Sequence, residues 1–353
     1  MKPRIEFCDT LRGLAAVIVM LAHYTHGFNA IGGWLYNPAG GQAYPVWFLE
    51  IFKIDGAFGV AVFFLVSGFV IPMSLTNRTA GVFLAARAIR LYPTYIVCSA
   101  ISLALVIGFN IEPVNKITFL KAFNSMTFFR DWLGGLPFDS IIWSLEIEVK
   151  FYLYAALMLP LMKTRPLTIA LVPVFATGAL LLCGVRPMYP IAGILQPDIL
   201  NTLLWNIGYL SFISVGMLFY SLHNGMIGLR TTLASMTFAL TVASQFLLAN
   251  YGNAGVVRIY LGAFLTFTVF YTLFRRRSWT ATAFLSKVRY PLYVVHATAG
   301  YILLSILVYR VGMPALLALP VVVTFVLLLA YAIHQVIEAP SIRLSSARLA
   351  AMS

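Results

Sequence analysis

The sequence predicts an all-α, polytopic integral membrane protein, a single bundle of about ten transmembrane helices. Three observations carry that expectation. Of the 353 residues, 61% are hydrophobic and only 10% are charged, where a soluble domain carries about 25% charged residues. The mean hydropathy is +0.90. Apolar runs of about 18–24 residues recur from one end to the other, the length a helix needs to cross a hydrocarbon core roughly 30 Å thick. An outer-membrane barrel would show short alternating segments instead, and none are visible.

Ten spans follow in order, at about 11–28, 54–73, 91–110, 141–161, 167–184, 201–221, 232–250, 256–274, 290–309 and 315–337. The first is LRGLAAVIVMLAHYTHG. No small-residue cleavage site ends it, and Trp, Tyr and Pro follow, so it reads as a span and not as a signal peptide. The second is built on GAFGVAVFFLVSGFVI, and the third follows the basic stretch FLAARAIRLYP. The fourth, opening with IIWSLEIEVKFYLY, is apolar but carries charges at its outer end. The fifth to eighth are apolar runs. The ninth contains RYPLYVVHATAGY, and the tenth closes on VIEAP, where Pro340 ends the helix.

With the N-terminus placed in the cytoplasm, the inner segments are 1–12, 74–90, 162–166, 222–231, 275–289 and 338–353. They hold 16 of the 24 Lys and Arg residues, among them Arg275, Arg276 and Arg277. That asymmetry is the positive-inside signal, and it predicts both termini in the cytoplasm. It also accounts for most of the net charge of +13, so no nucleic-acid partner is needed. The long outer segments 29–53 and 111–140 contain Trp34, Trp47 and Trp132, which suit an interfacial belt. No internal repeat, low-complexity tract or soluble domain interrupts the pattern, so residues 1–353 are expected to form one membrane domain. Cys8, Cys98 and Cys183 lie far apart and give neither a disulfide framework nor a metal-ligand spacing.

Chemistry has to sit among the helices. Arg12 and His23 are eleven residues apart, which is three turns plus about 20°, so they share one helix face about 16 Å apart along the axis. With Arg12 at the inner surface, His23 falls near the middle of the membrane, where ionisable groups normally face a cavity or a partner. His26 continues the stripe, offset by about 40° from Arg12. A snorkelling anchor is the plain alternative for Arg12. Ser67 and Gly68 are small enough to let helices approach closely. Arg87 and Arg90, three apart, suit phosphate, and anionic lipid headgroups would satisfy the same pair.

Glu146 reaches Lys150 at i,i+4 as an internal ion pair. Glu148 has no such local partner, so it should point at something polar elsewhere in the bundle. There it would orient an imidazole or accept a proton. His296 in the ninth span reads equally as a satisfied core histidine, with Tyr293 as a hydrogen-bond neighbour. Glu338 reads as a structural ion pair near the basic face. Phosphate-binding glycine loops, HExxH and GxSxG are absent.

In this order, Arg12 with ten residues before His23, FFLVSGFVI, Arg87/Arg90 followed by LYP, WSLEIEVKFY, RYPLYVVH and VIEAP resemble acyltransferase family 3, over nearly the whole chain. The resemblance implies transfer of an acyl group, usually acetyl from acetyl-CoA, to a hydroxyl of a sugar or other acceptor. It maps the essential Arg and His onto Arg12 and His23, the basic pair onto Arg87 and Arg90, and the glutamate of WSL-x-x-E onto Glu148. Trp143, Ser144 and Glu146 of that motif, with His26, Ser67, Tyr293 and His296, become supporting candidates. No metal and no tightly bound cofactor is implied. The partners expected are acetyl-CoA, a cell-surface or lipid-linked glycan, and membrane lipids. Ala61 and Val149 stand where many members carry Asp and Glu, which bears on the acceptor more than on the chemistry. The competing class is a proton-coupled transporter or flippase, which uses the same residue types. It usually shows Gly/Pro-broken spans in matching halves, and none are seen.

Overall fold

A computed structural model describes residues 6–29, 43–75, 78–109, 119–133, 141–162, 164–187, 199–275, 277 and 282–344. Among these the secondary structure is helical, without strands. The main helices are α1 (Glu6–Ala22), α2 (Gly56–Leu75), α3 (Ala80–Gly108), α4 (Ile142–Leu157), α5 (Pro166–Leu182), α6 (Ile199–His223), α7 (Leu229–Tyr251), α8 (Ala254–Leu273), α9 (Ala283–Ser305) and α10 (Ala315–Ile333). Each of the ten sequence runs overlaps one of them. Eight helical segments of the described chain are long and apolar enough to cross a membrane. Helices α4 and α5 are shorter, at 16 and 17 residues. The chain is an all-α, multi-pass membrane protein.

Two boundaries differ from expectation. Helix α3 begins at Ala80 and α9 at Ala283, well before the apolar runs at 91 and 290. Hydropathy registers the hydrocarbon, whereas the backbone ladder continues through the basic residues that lie outside it. Arg87 and Arg90, expected on an inner segment, are therefore helical. Trp34 and Arg276 lie outside the described residues, while Trp47 and Trp132 are exposed.

The chain divides into two compact units, each interleaved in sequence. Unit 1 comprises residues 1–11, 60–87 and 143–278. Here α5, α6 and α7 pack on one another, and α8 packs on α7. Apolar burial brings little net gain inside lipid, so close backbone approach has to supply the cohesion. Gly68 and Gly216 provide it, because a Cβ at Gly68 would strike the Ile213 carbonyl and one at Gly216 the Leu65 carbonyl. The small-residue reading thus holds for Gly68. Phe7, Phe69, Phe219, Phe267 and Tyr271 interlock beside them in tilted and edge-on pairs.

Unit 2 comprises residues 12–59, 88–142 and 279–353. Helix α9 pairs with α10. The start of α2 lies close on α1, since a Cβ at Gly59 would meet Val19 and the Ala15 carbonyl. Three helices of this unit end in π turns: His23–Gly27 after α1, Ile306–Arg310 after α9 and His334–Glu338 after α10. Such turns are rare and often mark functional positions.

Candidate active site

Arg12 and His23 both belong to unit 2 and stand on one continuous helical segment. His23 opens the π turn, and the Phe28 N–H donates to its carbonyl five residues back. The His23 Nδ1 lies 2.7 Å from the Val19 carbonyl oxygen. A carbonyl only accepts, so Nδ1 carries the proton and Nε2 keeps its lone pair. That Nε2 has no hydrogen-bond partner among the described residues. The tautomer that a general base or acyl acceptor requires is thus set by the backbone one turn earlier.

His296 of α9 faces it, with ring centroids 5.2 Å apart in an edge-to-face arrangement. His296 is fully buried. Its Nδ1 donates to the Leu292 and Tyr293 carbonyls, each at 3.0 Å. The expected neighbour Tyr293 therefore acts through its backbone, and its ring packs edge-on at 5.9 Å. The satisfied-core reading holds for one nitrogen only, because the buried Nε2 of His296 has no partner among the described residues.

Tyr24 and Tyr301 complete the cluster. The Tyr24 hydroxyl donates to the His296 carbonyl at 2.7 Å. Its ring lies over Gly300, where any Cβ would collide with it. Tyr301 packs edge-on to His23 at 6.0 Å. Sequence reasoning passed over both tyrosines. The available signal was a tyrosine next to His23 and a glycine–tyrosine pair one turn beyond His296. His26 sits in the same π turn with a buried, unpartnered Nδ1. The offset of about 40° from Arg12 does not hold for it, because a π turn abandons the 100° step on which the figure rests.

Unit 1 holds most of the other charged candidates. The Ser67 hydroxyl donates to Glu148 Oε1 at 2.5 Å, 81 residues away in sequence. Glu148 does find a polar partner outside its own helix, and a hydrogen bond to a carboxylate is of the strong class. Ser144, Glu146 and Lys150 are buried on α4. Trp143 packs against Phe64, Trp205 and Tyr209. The Arg87 guanidinium lies 5.3 Å from the ring centres of both Phe83 and Tyr152 and donates to Ser74 Oγ at 3.0 Å. Stacking of this kind suits the flat guanidinium and not an ammonium. Arg90, in unit 2, is half-buried with no partner among the described residues.

The family model described as an acyltransferase domain matches residues 5–335. The chain belongs to this acyltransferase family. The match includes Arg12, His23, Arg87, Arg90, Glu148 and His296. The acyltransferase is also similar to nodulation protein 10 of Rhizobium leguminosarum bv. viciae, at 28% identity over 175 residues, which is 44% of this chain and 44% of that protein. It thus matches less than half the length of that relative. No solved structure matches the acyltransferase.

Glu338, read as a structural ion pair near the basic face, bonds to His334 Nδ1 on its own π turn at 2.6 Å. Among the described residues no three His, Cys, Asp or Glu side chains gather as metal ligands would.

Proposed function

We propose that this acyltransferase moves acetyl from cytoplasmic acetyl-CoA to a hydroxyl of a cell-surface or lipid-linked glycan, in a bacterial inner membrane with both termini in the cytoplasm. The observation that carries the reading is the His23 Nε2. It is a lone pair left free at membrane depth, eleven residues and about 16 Å of helix from a guanidinium. An anionic donor meets Arg12, and the thin pantetheine arm spans a distance of that order. The thioester then arrives beside His23. Arg87 and Arg90 add cationic contacts for the phosphates of coenzyme A.

His23 acts as general base on the acceptor hydroxyl, or takes the acyl group itself before passing it on. Glu148 supports the acceptor side through its bond to Ser67.

The test uses membranes from a producing strain, incubated with acetyl-labelled acetyl-CoA and then extracted for glycans. Label in a glycan fraction is expected from the wild type and not from His23→Ala. If glycans stay unlabelled while an acceptor moves across sealed vesicles, the chain is a carrier and the proposal fails.

A further inference from the structure

We infer that His296 is a positioning residue for His23: its unpaired Nε2 receives the proton-bearing Nε2 of His23 during transfer. This rests on the acyl-transfer reading for its purpose, and on unit 2 alone for its geometry.

The two imidazoles are arranged alike. Each uses Nδ1–H to bond carbonyls of the preceding turn, Val19 for His23 and Leu292 with Tyr293 for His296. Each is therefore left with a lone pair at Nε2. Their centroids lie 5.2 Å apart. Two imidazoles joined by an N–H···N bond of about 2.9 Å have centroids about 5 Å apart, so a change of ring tilt is enough to join them.

In the resting state neither Nε2 carries a proton, so no bond forms between them. The His296 Nε2 is then a buried acceptor with no donor. Leaving such an atom unsatisfied is costly, and native interiors hold few of them. A leucine would fill the position without that cost. Nothing on the His296 ring is solvated, since the residue is fully buried. The surroundings also hold the ring in place. Tyr24 ties down the His296 carbonyl at 2.7 Å, and Gly300 admits the Tyr24 ring against α9.

The donor that fits appears only during the reaction. As the acceptor oxygen bonds to the acyl carbon, its O–H breaks and the proton passes to His23 Nε2. The carbon–sulfur bond breaks with its electron pair left on sulfur. While His23 is an imidazolium, its Nε2–H points to the His296 lone pair, which stabilises the charge. The proton then leaves His23 for the thiolate, giving the free thiol of coenzyme A and restoring both lone pairs. His296 itself neither gains nor loses a proton.

The experiment uses the full chain in lipid nanodiscs as wild type, His296→Ala and His296→Gln. Thiol release from acetyl-CoA gives kcat and KM, and 15N-histidine labelling gives the coupling between the two Nε2 atoms as the pH is lowered. The expected result for His296→Ala is a kcat lower by about tenfold to a hundredfold, with KM for acetyl-CoA within about twofold. His296→Gln, whose amide oxygen also accepts, recovers most of that loss. The acidified wild type shows an Nε2–Nε2 coupling that His296→Ala lacks.

Wild-type kcat in His296→Ala overturns the inference, as does a kcat loss that glutamine fails to recover. Absence of the coupling at every pH overturns it as well. If the wild type releases no thiol, the acyl-transfer reading fails, and the coupling alone then decides whether the pair exists.

Discussion

The two units treat their candidate residues differently. In unit 1 the carboxylate and guanidinium candidates have partners. Glu148 holds the Ser67 hydroxyl, and Arg87 is clamped between Phe83 and Tyr152 with Ser74 at its edge. In unit 2 three helices open into π turns, and the imidazoles of His23, His26 and His296 each keep a nitrogen without a partner among the described residues. A satisfied group fixes geometry. An unsatisfied one in hydrocarbon is retained against its cost, and such groups concentrate where a ligand or proton completes them. The contrast supports the proposed role of His23 in unit 2, while the partnered candidates of unit 1 keep a fixed geometry.

The largest effect should come from unit 2. His23→Ala is expected to lower labelled acetyl transfer by about a hundredfold to ten-thousandfold, while the protein still elutes as one species from size-exclusion chromatography in detergent. Transfer at the wild-type level would remove that role. In unit 1, Gly68→Leu forces a side chain into the Ile213 carbonyl. Overpacking of this kind costs roughly 1–3 kcal/mol or more. A lower unfolding temperature and poor recovery from membranes are expected.

A finer test separates shape from chemistry at Glu148. Glu148→Gln and Ser67→Ala, alone and together, should show a coupling of about 1–3 kcal/mol in thermal stability, because the bond is charge-assisted and partly buried. Additive effects would mean the contact carries no energy. The smallest expected effect is that of Tyr24→Phe, which removes one hydroxyl from the His296 carbonyl. It should cost about 1 kcal/mol of stability and a few-fold in transfer rate, both measurable in the same membranes.

Much of this was legible in the chain. Hydropathy located every main helix because hydrocarbon thickness leaves a mark of fixed length in a sequence. Spacing was enough to put Arg12 and His23 on one helix and to require a distant polar partner for Glu148. It did not single out Ser67 as that partner, because a small residue in an apolar run has the same appearance whether it packs or bonds. Gly68, its neighbour, does only the packing. The early starts of α3 and α9 escaped because Arg87, Arg90, Lys287 and Arg289 lower hydropathy without ending a helix. The π turns escaped for a different reason. They change which carbonyl each N–H meets, and no residue type encodes that choice.

The π turn at His23–Gly27 also makes the neighbourhood of the histidine a matter of chain length. It holds one residue more than an α ladder would use over the same rise. Deleting His26 would let α1 run on as a plain helix and swing everything beyond it by about 100°. Arg12, His23 and His296 would all survive such a deletion in the sequence. Phe28, now stacked on Tyr301 and Tyr309, would be carried off those rings. A shortened chain that keeps Arg12, His23 and His296 can thus lose their surroundings, whereas His26→Ala at full length keeps the count on which those surroundings depend.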